Sequence, residues 1–185
     1  DPYTAGHSKR VATYAKKIAN KMHLPKEKCD MIYEAGILHD IGKIVIPDSI
    51  LLKPSRLNDN EFKIIKQHSS IGYELLSKVN DFNEIANIIH FHHERVDGLG
   101  YPKGLKSNEI PLESKILAVA DAFDSMTTNR IYEKRRSVHD ALEELNDYKN
   151  IMYDSNIVDV AIEVLSKEKI EEDISQNPIS QMESA

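Results

Sequence analysis

The sequence predicts an all-α domain, and three observations support this class. Apolar residues recur with a period near 3.6 along most of the 185-residue chain. Residues that favour helix starts precede several of these runs, and Gly and Pro collect in two stretches between them. The composition, 41% hydrophobic and 29% charged, is that of a soluble globular protein. We therefore expect one helical bundle, since 185 residues leave little room for a second core.

Seven helices are predicted in order along the chain. Their approximate ranges are about 7–23, 25–39, 59–79, 82–93, 113–129, 137–149 and 154–166. Pro25 suits a first turn, and Asn58 or Asp59 suits a helix cap. Ser137 and Asp140 are spaced like a capping box.

Two long loops and a tail complete this organisation. The loops "GKIVIPDSILLKPSRL" and "RVDGLGYPKGLKSNEIPLE" are rich in Gly and Pro, and loops of this length in a helical domain usually serve function. Residues 167–185 are polar and acidic without clear periodicity, so we expect a disordered tail after a domain at 1–166.

Charge and composition exclude several classes of partner. The net charge of −6 disfavours binding to duplex nucleic acid. No apolar run approaches the roughly 18 residues of a membrane span, and no signal peptide opens the chain. The single cysteine, Cys29, cannot form an internal disulfide and suits a reducing compartment. We expect a cytoplasmic location and no membrane contact for this fragment.

Histidine and aspartate residues form the candidate site. Each lies on, or at the end of, a predicted helix, and a bundle can bring such side chains together. The set is His7, His39, Asp40, His68, His92, His93 and Asp121. Nitrogen and oxygen ligands without thiolate suit Fe, Mn or Zn. Adjacent helical residues diverge by about 100° and do not share a face. The neighbouring pairs His39–Asp40 and His92–His93 could therefore bind two different ions, or bind one ion across a helix end where the backbone opens. One such histidine alone would more often be structural.

Five motifs resemble a known family in order and spacing. They are "HSKRVA" at 7–12, "LHDIGKIVIPDSIL" at 38–51, "KQHSSIGYELL" at 66–76, "HHERVDGLGYPKGL" at 92–105 and "VADAFDSMTTNRIY" at 119–132. Together they resemble the HD-GYP domain over about residues 1–150. This is the subgroup of the HD phosphohydrolase superfamily that is associated with cyclic di-GMP hydrolysis in bacteria.

The resemblance implies an HD-type bundle of about seven helices with the GYP loop beside a metal site. One ion would be surrounded by His7, His39, Asp40 and Asp121, and a second by Asp40, His68, His92 and His93. Asp40 and Lys43 would be catalytic, and the substrate contacts would be Lys43, Arg95, Tyr101 and Arg130. The cofactors would be two divalent transition-metal ions, Fe or Mn by preference, with Zn, Ni and Co as the other candidates.

Several of these roles have a physical rationale. Two close metals stabilise the attacking and leaving oxygens of a phosphoryl displacement. Lys43, one turn past His39, can neutralise a phosphate oxygen, although a solvated surface lysine is the alternative. The planar guanidinium of Arg130 matches the geometry of phosphate. The alternative is that Arg130 interacts with the dipole at a helix end. Tyr101 can stack on a purine, hydrogen-bond a phosphate, or cap the core from a plain turn.

The GYP loop and the position before the first histidine give further expectations. Gly98 and Gly100 allow a tight turn, and Asp97 should hold the loop through local backbone bonds. Trinuclear family members have a glutamate four residues before the first histidine, where this chain has Tyr3. We therefore predict two metals, with Asp124 at most a weak ligand of a third. Residues 146–165 resemble the family loosely, and little chemistry should depend on them.

The leading hypothesis is a metal-dependent phosphodiesterase that opens cyclic di-GMP to linear pGpG, with GMP as a further product to test for. The alternatives are another cyclic dinucleotide or nucleotide, a catalytically silent nucleotide-binding or interaction module, and a bundle with structural or pH-sensing histidines. The resemblance also implies fusion to an N-terminal sensory or receiver domain, and it allows a homodimer.

Overall fold

The computed structural model describes residues 2–128 and 135–168, with side chains from residue 6 onward. The α-helices are α1 (Pro2–Lys21), α2 (Lys26–Leu38), α3 (Asp48–Leu51), α4 (Asp59–Leu76), α5 (Asn83–His90), α6 (Leu112–Thr127), α7 (Val138–Asp147) and α8 (Ser155–Leu165). Two 3-10 turns span Ile41–Val45 and Ser107–Glu109. Within the described ranges there is no β-strand, so the predicted all-α class is confirmed.

Side-chain caps fix two of the helix starts that the sequence predicts. The Asn58 side chain accepts hydrogen bonds from the backbone N–H groups of Asn60 and Glu61, both at 3.0 Å. The Glu61 carboxylate in turn accepts from the Asn58 N–H at 2.8 Å, which completes a capping box. Ser137 Oγ accepts from the Asp140 N–H at 3.1 Å at the start of α7. The Asn58 cap is confirmed, and at α7 the Ser137 cap is confirmed without the reciprocal bond of a full capping box.

Other predicted helix boundaries are wrong. The helix expected over 82–93 ends at His90, because Phe91 leaves the helical conformation at φ −109° and ψ 9°. The helix expected to reach 79 ends at Leu76. Buried residues continue past His90, whereas Val79, past Leu76, extends the apolar period in sequence but is 47% exposed. The first loop also contains a 3-10 turn and α3, so the described residues form eight α-helices instead of seven.

Helix α6 lies at the centre of the bundle. It contacts α1, α2, α5, α7 and α8, and its Ile116, Leu117 and Phe123 side chains are fully buried. Burying each such side chain stabilises the fold by about 1.5–3 kcal/mol. Helix α1 packs along α2 and α6, which holds its first turns against the C-terminal half of α6. In the part of the chain that the structure describes, no helix has the length and hydropathy of a membrane span.

Three predictions concern parts of the chain outside the described residues. They are the tail expected at 167–185, which is described only to residue 168, the substrate contact of Arg130, and the side chain of Tyr3.

The 3-10 turn after Asp40 packs against the backbone of α4 at a glycine. A Cβ atom on Gly42 would lie 2.0 Å from the His68 carbonyl oxygen. We expect Gly42→Ala to lower the free energy of unfolding by roughly 2 kcal/mol or more, because the turn and α4 must separate. Urea unfolding checks this value.

The matched control is Gly6→Ala, where, among the described side chains, the added Cβ meets the flexible end of Arg10 at 3.0 Å. Alanine in a helix should leave stability unchanged or raise it by about 0.5–1 kcal/mol. Equal stability of the Gly42→Ala variant and the parent would contradict close packing at this turn.

Candidate metal centre

All seven predicted metal-ligating side chains lie together in the interior of the bundle. Three overlapping groups have potential ligand atoms within 4.8 Å of one another. The groups are His68, His92 and His93; His7, His39 and Asp121; and His39, Asp40 and His92. They come from α1, the end of α2, α4, the turn after α5, and α6. The convergence that the sequence suggests is therefore present.

The Asp40 carboxylate lies between the histidines of these groups. Its Oδ2 atom is 3.4 Å from His39 Nε2 and 3.9 Å from His7 Nε2, whereas its Oδ1 atom is 3.7 Å from His68 Nε2. Lys43 Nζ donates a hydrogen bond to Oδ2 at 2.7 Å. The two oxygens of one carboxylate thus face two different sets of imidazoles.

Backbone carbonyl groups orient three of the buried imidazoles. Each ring Nδ1 lies at hydrogen-bond distance from the carbonyl oxygen three residues earlier. The pairs are His39 with Gly36 at 2.8 Å, His68 with Ile65 at 2.7 Å and His92 with Ile89 at 2.6 Å. Because a carbonyl can only accept, Nδ1 carries the proton and Nε2 keeps its lone pair.

Two of these Nε2 atoms show that the site fits a metal ion. The Nε2 atoms of His68 and His92 are buried and have no hydrogen-bond partner among the described residues. A buried acceptor without a partner costs about 1–3 kcal/mol. A cation bound among the imidazoles would remove this cost, so these residues could hold a divalent metal.

Asp124 orients His7 from behind. His7 Nδ1 lies 2.7 Å from Asp124 Oδ2, and His7 Nε2 lies 3.2 Å from Asp121 Oδ1. Asp124 is fully buried and also accepts from Arg10 Nε at 2.6 Å and Nη2 at 3.0 Å. Both carboxylate oxygens are engaged with protein donors. This favours a positioning role for Asp124 over the weak third-metal role that the sequence suggests.

Burial keeps three imidazoles neutral. It lowers the pKa of His68, lowers that of His92 well below its ordinary value, and lowers that of His93 to about 3. Protons therefore compete weakly for these ring nitrogens at neutral pH. The neutral imidazole is the form that binds metals.

The carboxylates of the site are ionised in spite of their burial. Burial alone would raise the pKa of Asp40, but the electrostatic influence of His39 and Lys43 outweighs it and lowers this pKa to about 2. Burial of Asp121 is likewise outweighed by the hydrogen bond to His7, so its pKa is lowered. Anionic oxygens beside the neutral imidazoles of His68, His92 and His93 favour a divalent cation.

Glu94 holds the GYP loop, a role that sequence reasoning missed. Its buried carboxylate accepts from the backbone N–H groups of Lys103 at 2.6 Å, Gly104 at 3.1 Å and Leu105 at 2.9 Å. The only signal in the sequence for this role was the position of an acidic residue, directly after the histidine pair and before a loop whose backbone N–H groups have no helical partners. Glu94 thereby connects the exit of the loop to the turn that carries His92 and His93.

Glycine and aspartate shape the loop as predicted. Gly98 has φ +82°, and a Cβ atom on Gly100 would lie 2.3 Å from the Arg95 backbone N. Asp97 Oδ1 accepts from the Leu99 N–H at 3.0 Å, which confirms its local backbone bond. Asp97 also binds the Arg95 guanidinium at 3.1 and 2.5 Å. The substrate contact of Arg95 stays a prediction.

Tyr101 lies directly beside His93, one of the candidate metal ligands. Its ring stacks on His93 with 4.8 Å between centroids and an interplanar angle of 30°.

The expectation that residues 146–165 contribute little is incomplete, because this segment supports the loop. The N–H groups of Val96 and Asp97 donate to the carbonyls of Met152 and Ile151, both at 3.2 Å.

Comparison with known proteins identifies the family. A model of the HD domain family matches residues 1–157. A Bdellovibrio bacteriovorus HDG"Y"P protein has the same fold, with a TM-score of 0.72, 20% identity and coverage of 88% of this chain and 52% of that chain. The chain belongs to the HD domain family and shares the fold of this HDG"Y"P protein.

Curated relatives are named as cyclic-dinucleotide phosphodiesterases. A Thermotoga maritima "Cyclic di-GMP phosphodiesterase" is 40% identical, over 96% of this chain and 50% of the relative. A Xanthomonas campestris cyclic di-GMP phosphodiesterase response regulator is 41% identical, over 88% and 43% respectively. A Vibrio cholerae "3'3'-cGAMP-specific phosphodiesterase 3" is 37% identical, over 76% and 31%. The chain spans half or less of the length of each.

Removing the charge of Asp124 should weaken metal binding. We expect Asp124→Asn to lower the affinity for Mn²⁺ by about 10–100-fold, because His7 loses the carboxylate that orients it. Equilibrium dialysis against Mn²⁺ measures the affinity. The control is Asp159→Asn, which changes an exposed partner of Lys149 and should bind as the parent does. Unchanged affinity of the Asp124→Asn variant would contradict the positioning role.

The Glu94 carboxylate should be needed for order in the GYP loop. In Glu94→Gln the amide NH₂ must face backbone donors, so we expect a loss of about 1–3 kcal/mol. Hydrogen exchange at Lys103, Gly104 and Leu105 should become faster. Glu109→Gln is the control, because Glu109 makes one exposed bond, to the Lys106 N–H. Exchange that changes equally in both variants would contradict this role.

Proposed function

We propose that this domain is a metal-dependent phosphodiesterase that hydrolyses cyclic di-GMP to linear pGpG in bacterial second-messenger signalling. The observation that carries the proposal is the position of Asp40, whose two oxygens face His39 and His7 on one side and His68 on the other. Such a carboxylate is suited to bridge two ions. The names of the relatives at 40% and 41% identity support the substrate.

The proposed cofactors are two divalent transition-metal ions. One would be held by His7, His39, Asp40 and Asp121, and the other by Asp40, His68, His92 and His93. Iron or manganese fits the nitrogen and oxygen donors, and Zn, Ni and Co are the other candidates. When bound, such a pair supplies Lewis-acid stabilisation of the attacking and leaving oxygens in an in-line displacement at phosphorus.

The residues around these ligands would bind and orient the substrate. The Lys43 ammonium is 2.7 Å from Asp40 Oδ2, so a short rotation of its side chain would bring it to a non-bridging phosphate oxygen. Tyr101, stacked on His93, would border the same space. The substrate contacts of Arg95 and Arg130, the N-terminal sensory or receiver domain, the homodimer and the cytoplasmic location stay predictions.

A second candidate is hydrolysis of a different cyclic dinucleotide. It is favoured by two Vibrio cholerae relatives that are both 37% identical and named as specific for 3'3'-cGAMP. A silent binding module or a purely structural bundle accounts poorly for the buried Nε2 atoms of His68 and His92, which lack partners among the described residues. Metal analysis of the purified protein separates the structural bundle from the other candidates.

Turnover should depend on the Asp40 carboxylate. The Mn²⁺-loaded protein should convert cyclic di-GMP to pGpG, and Asp40→Asn should lower the rate by roughly a hundredfold or more, because an amide cannot bridge two cations. Chromatography that separates pGpG from GMP follows both products.

Asp159→Asn, far along the chain on α8, is the control and should match the parent. Equal turnover by the parent and the Asp40→Asn variant would remove Asp40 from the mechanism. Tight binding without turnover by the parent would instead identify a receptor.

A further inference from the structure

Lys66 lies on α4, two residues before His68, with its ammonium group between two aromatic rings. Its Nζ atom is 4.6 Å from the centroid of the Phe62 ring and 5.3 Å from that of the Tyr101 ring. In the described part of the chain, no carboxylate lies within ion-pair distance of Lys66. A half-buried cation is thus held by ring faces and keeps its hydrogen-bond donors available.

This cation is distinct from the one beside the metal ligands. Lys43 is bonded to Asp40, whereas Lys66 is separated from the ligand cluster by Tyr101, whose ring stacks on His93 at 4.8 Å. A substrate phosphate reacting among the ligands would therefore be near Lys43. Lys66 would contact a part of the same substrate that lies farther from the ligand cluster, beyond the Tyr101 ring.

Phe62 supplies an apolar surface at this outer position. It precedes Lys66 by one helical turn, so both side chains project from the same face of α4. The Phe62 side chain is 46% exposed, so part of its ring is open to solvent. Aromatic faces of this kind bind nucleobases by stacking and accept any base.

We propose that Lys66, between Phe62 and Tyr101, binds a purine base and selects guanine over adenine. This inference rests on the proposed cyclic-dinucleotide substrate and specifies how its base is recognised. A lysine ammonium can only donate hydrogen bonds. Guanine presents two acceptors, O6 and N7, on one edge, whereas adenine presents one acceptor and the N6 amino donor, which opposes an ammonium.

The two rings favour a base over a second phosphate as the partner of Lys66. A phosphate is strongly hydrated and gains nothing from the apolar faces of Phe62 and Tyr101. A base gains both stacking area and hydrogen bonds at its edge. A phosphate contact would affect every cyclic dinucleotide equally, so the experiment separates the two.

The test compares kcat/KM for cyclic di-GMP, 3'3'-cGAMP and cyclic di-AMP in the Mn²⁺-loaded parent and in Lys66→Met. The variant keeps the aliphatic stem and loses the donors. We expect about a tenfold loss on cyclic di-GMP and little change on cyclic di-AMP. Lys66→Gln, whose amide matches the adenine edge, should shift the preference further toward adenine. Lys63→Met, at an exposed position of the same helix, should behave as the parent.

A second variant tests the ring surface. Phe62→Ala should weaken all three substrates to a similar degree, because stacking does not distinguish the bases. A selective loss of cyclic di-GMP in this variant, or no loss at all, would contradict the stacking role of Phe62.

Each result of the Lys66 comparison supports or overturns the inference. Unchanged preference in Lys66→Met overturns it, and equal loss on all three substrates overturns it in favour of a phosphate contact. Equilibrium binding of the three dinucleotides by the metal-free proteins provides an independent readout. Guanine-selective binding that depends on Lys66 without turnover would sustain the inference and refute the proposed activity. A parent that neither binds nor hydrolyses any of the three refutes both.

Discussion

The hydrogen bonds from three buried imidazoles to their own backbone are the interaction on which the site depends. His39, His68 and His92 each use Nδ1 to reach the carbonyl three residues earlier. Each bond satisfies one ring nitrogen locally and turns the other toward the centre of the bundle. Because each bond spans only three residues of the chain, helix packing then decides where the three Nε2 atoms meet.

The convergence of these groups has an energetic consequence. Ionised Asp40 and Asp121 lie near the neutral imidazoles of His68, His92 and His93, and two ring nitrogens lack partners among the described residues. This arrangement lowers the free energy of unfolding. A bound cation would raise it again, since a ligand that binds only the folded state stabilises that state.

The GYP loop is attached to the site at two points. Glu94 binds the amides at the exit of the loop, and Tyr101 stacks on His93 within it. On the other side, Gly42 lets the turn after Asp40 touch the backbone of α4. The candidate metal ligands, the loop and Lys66 on α4 are therefore parts of one packed unit, so a displacement of α4 would move all three together.

The sequence by itself determined the helical class, the caps at Asn58 and Ser137, and the seven side chains that converge. These features depend on local periodicity, on short-range hydrogen bonds and on residue types in recognisable motifs. Only the tertiary structure decided that the α5 helix ends at His90, that Asp124 turns its oxygens to His7 and Arg10, and that Glu94 binds three distant amides. Those choices depend on which groups lose water together in the packed bundle, and the spacing of residues along the chain does not contain that information.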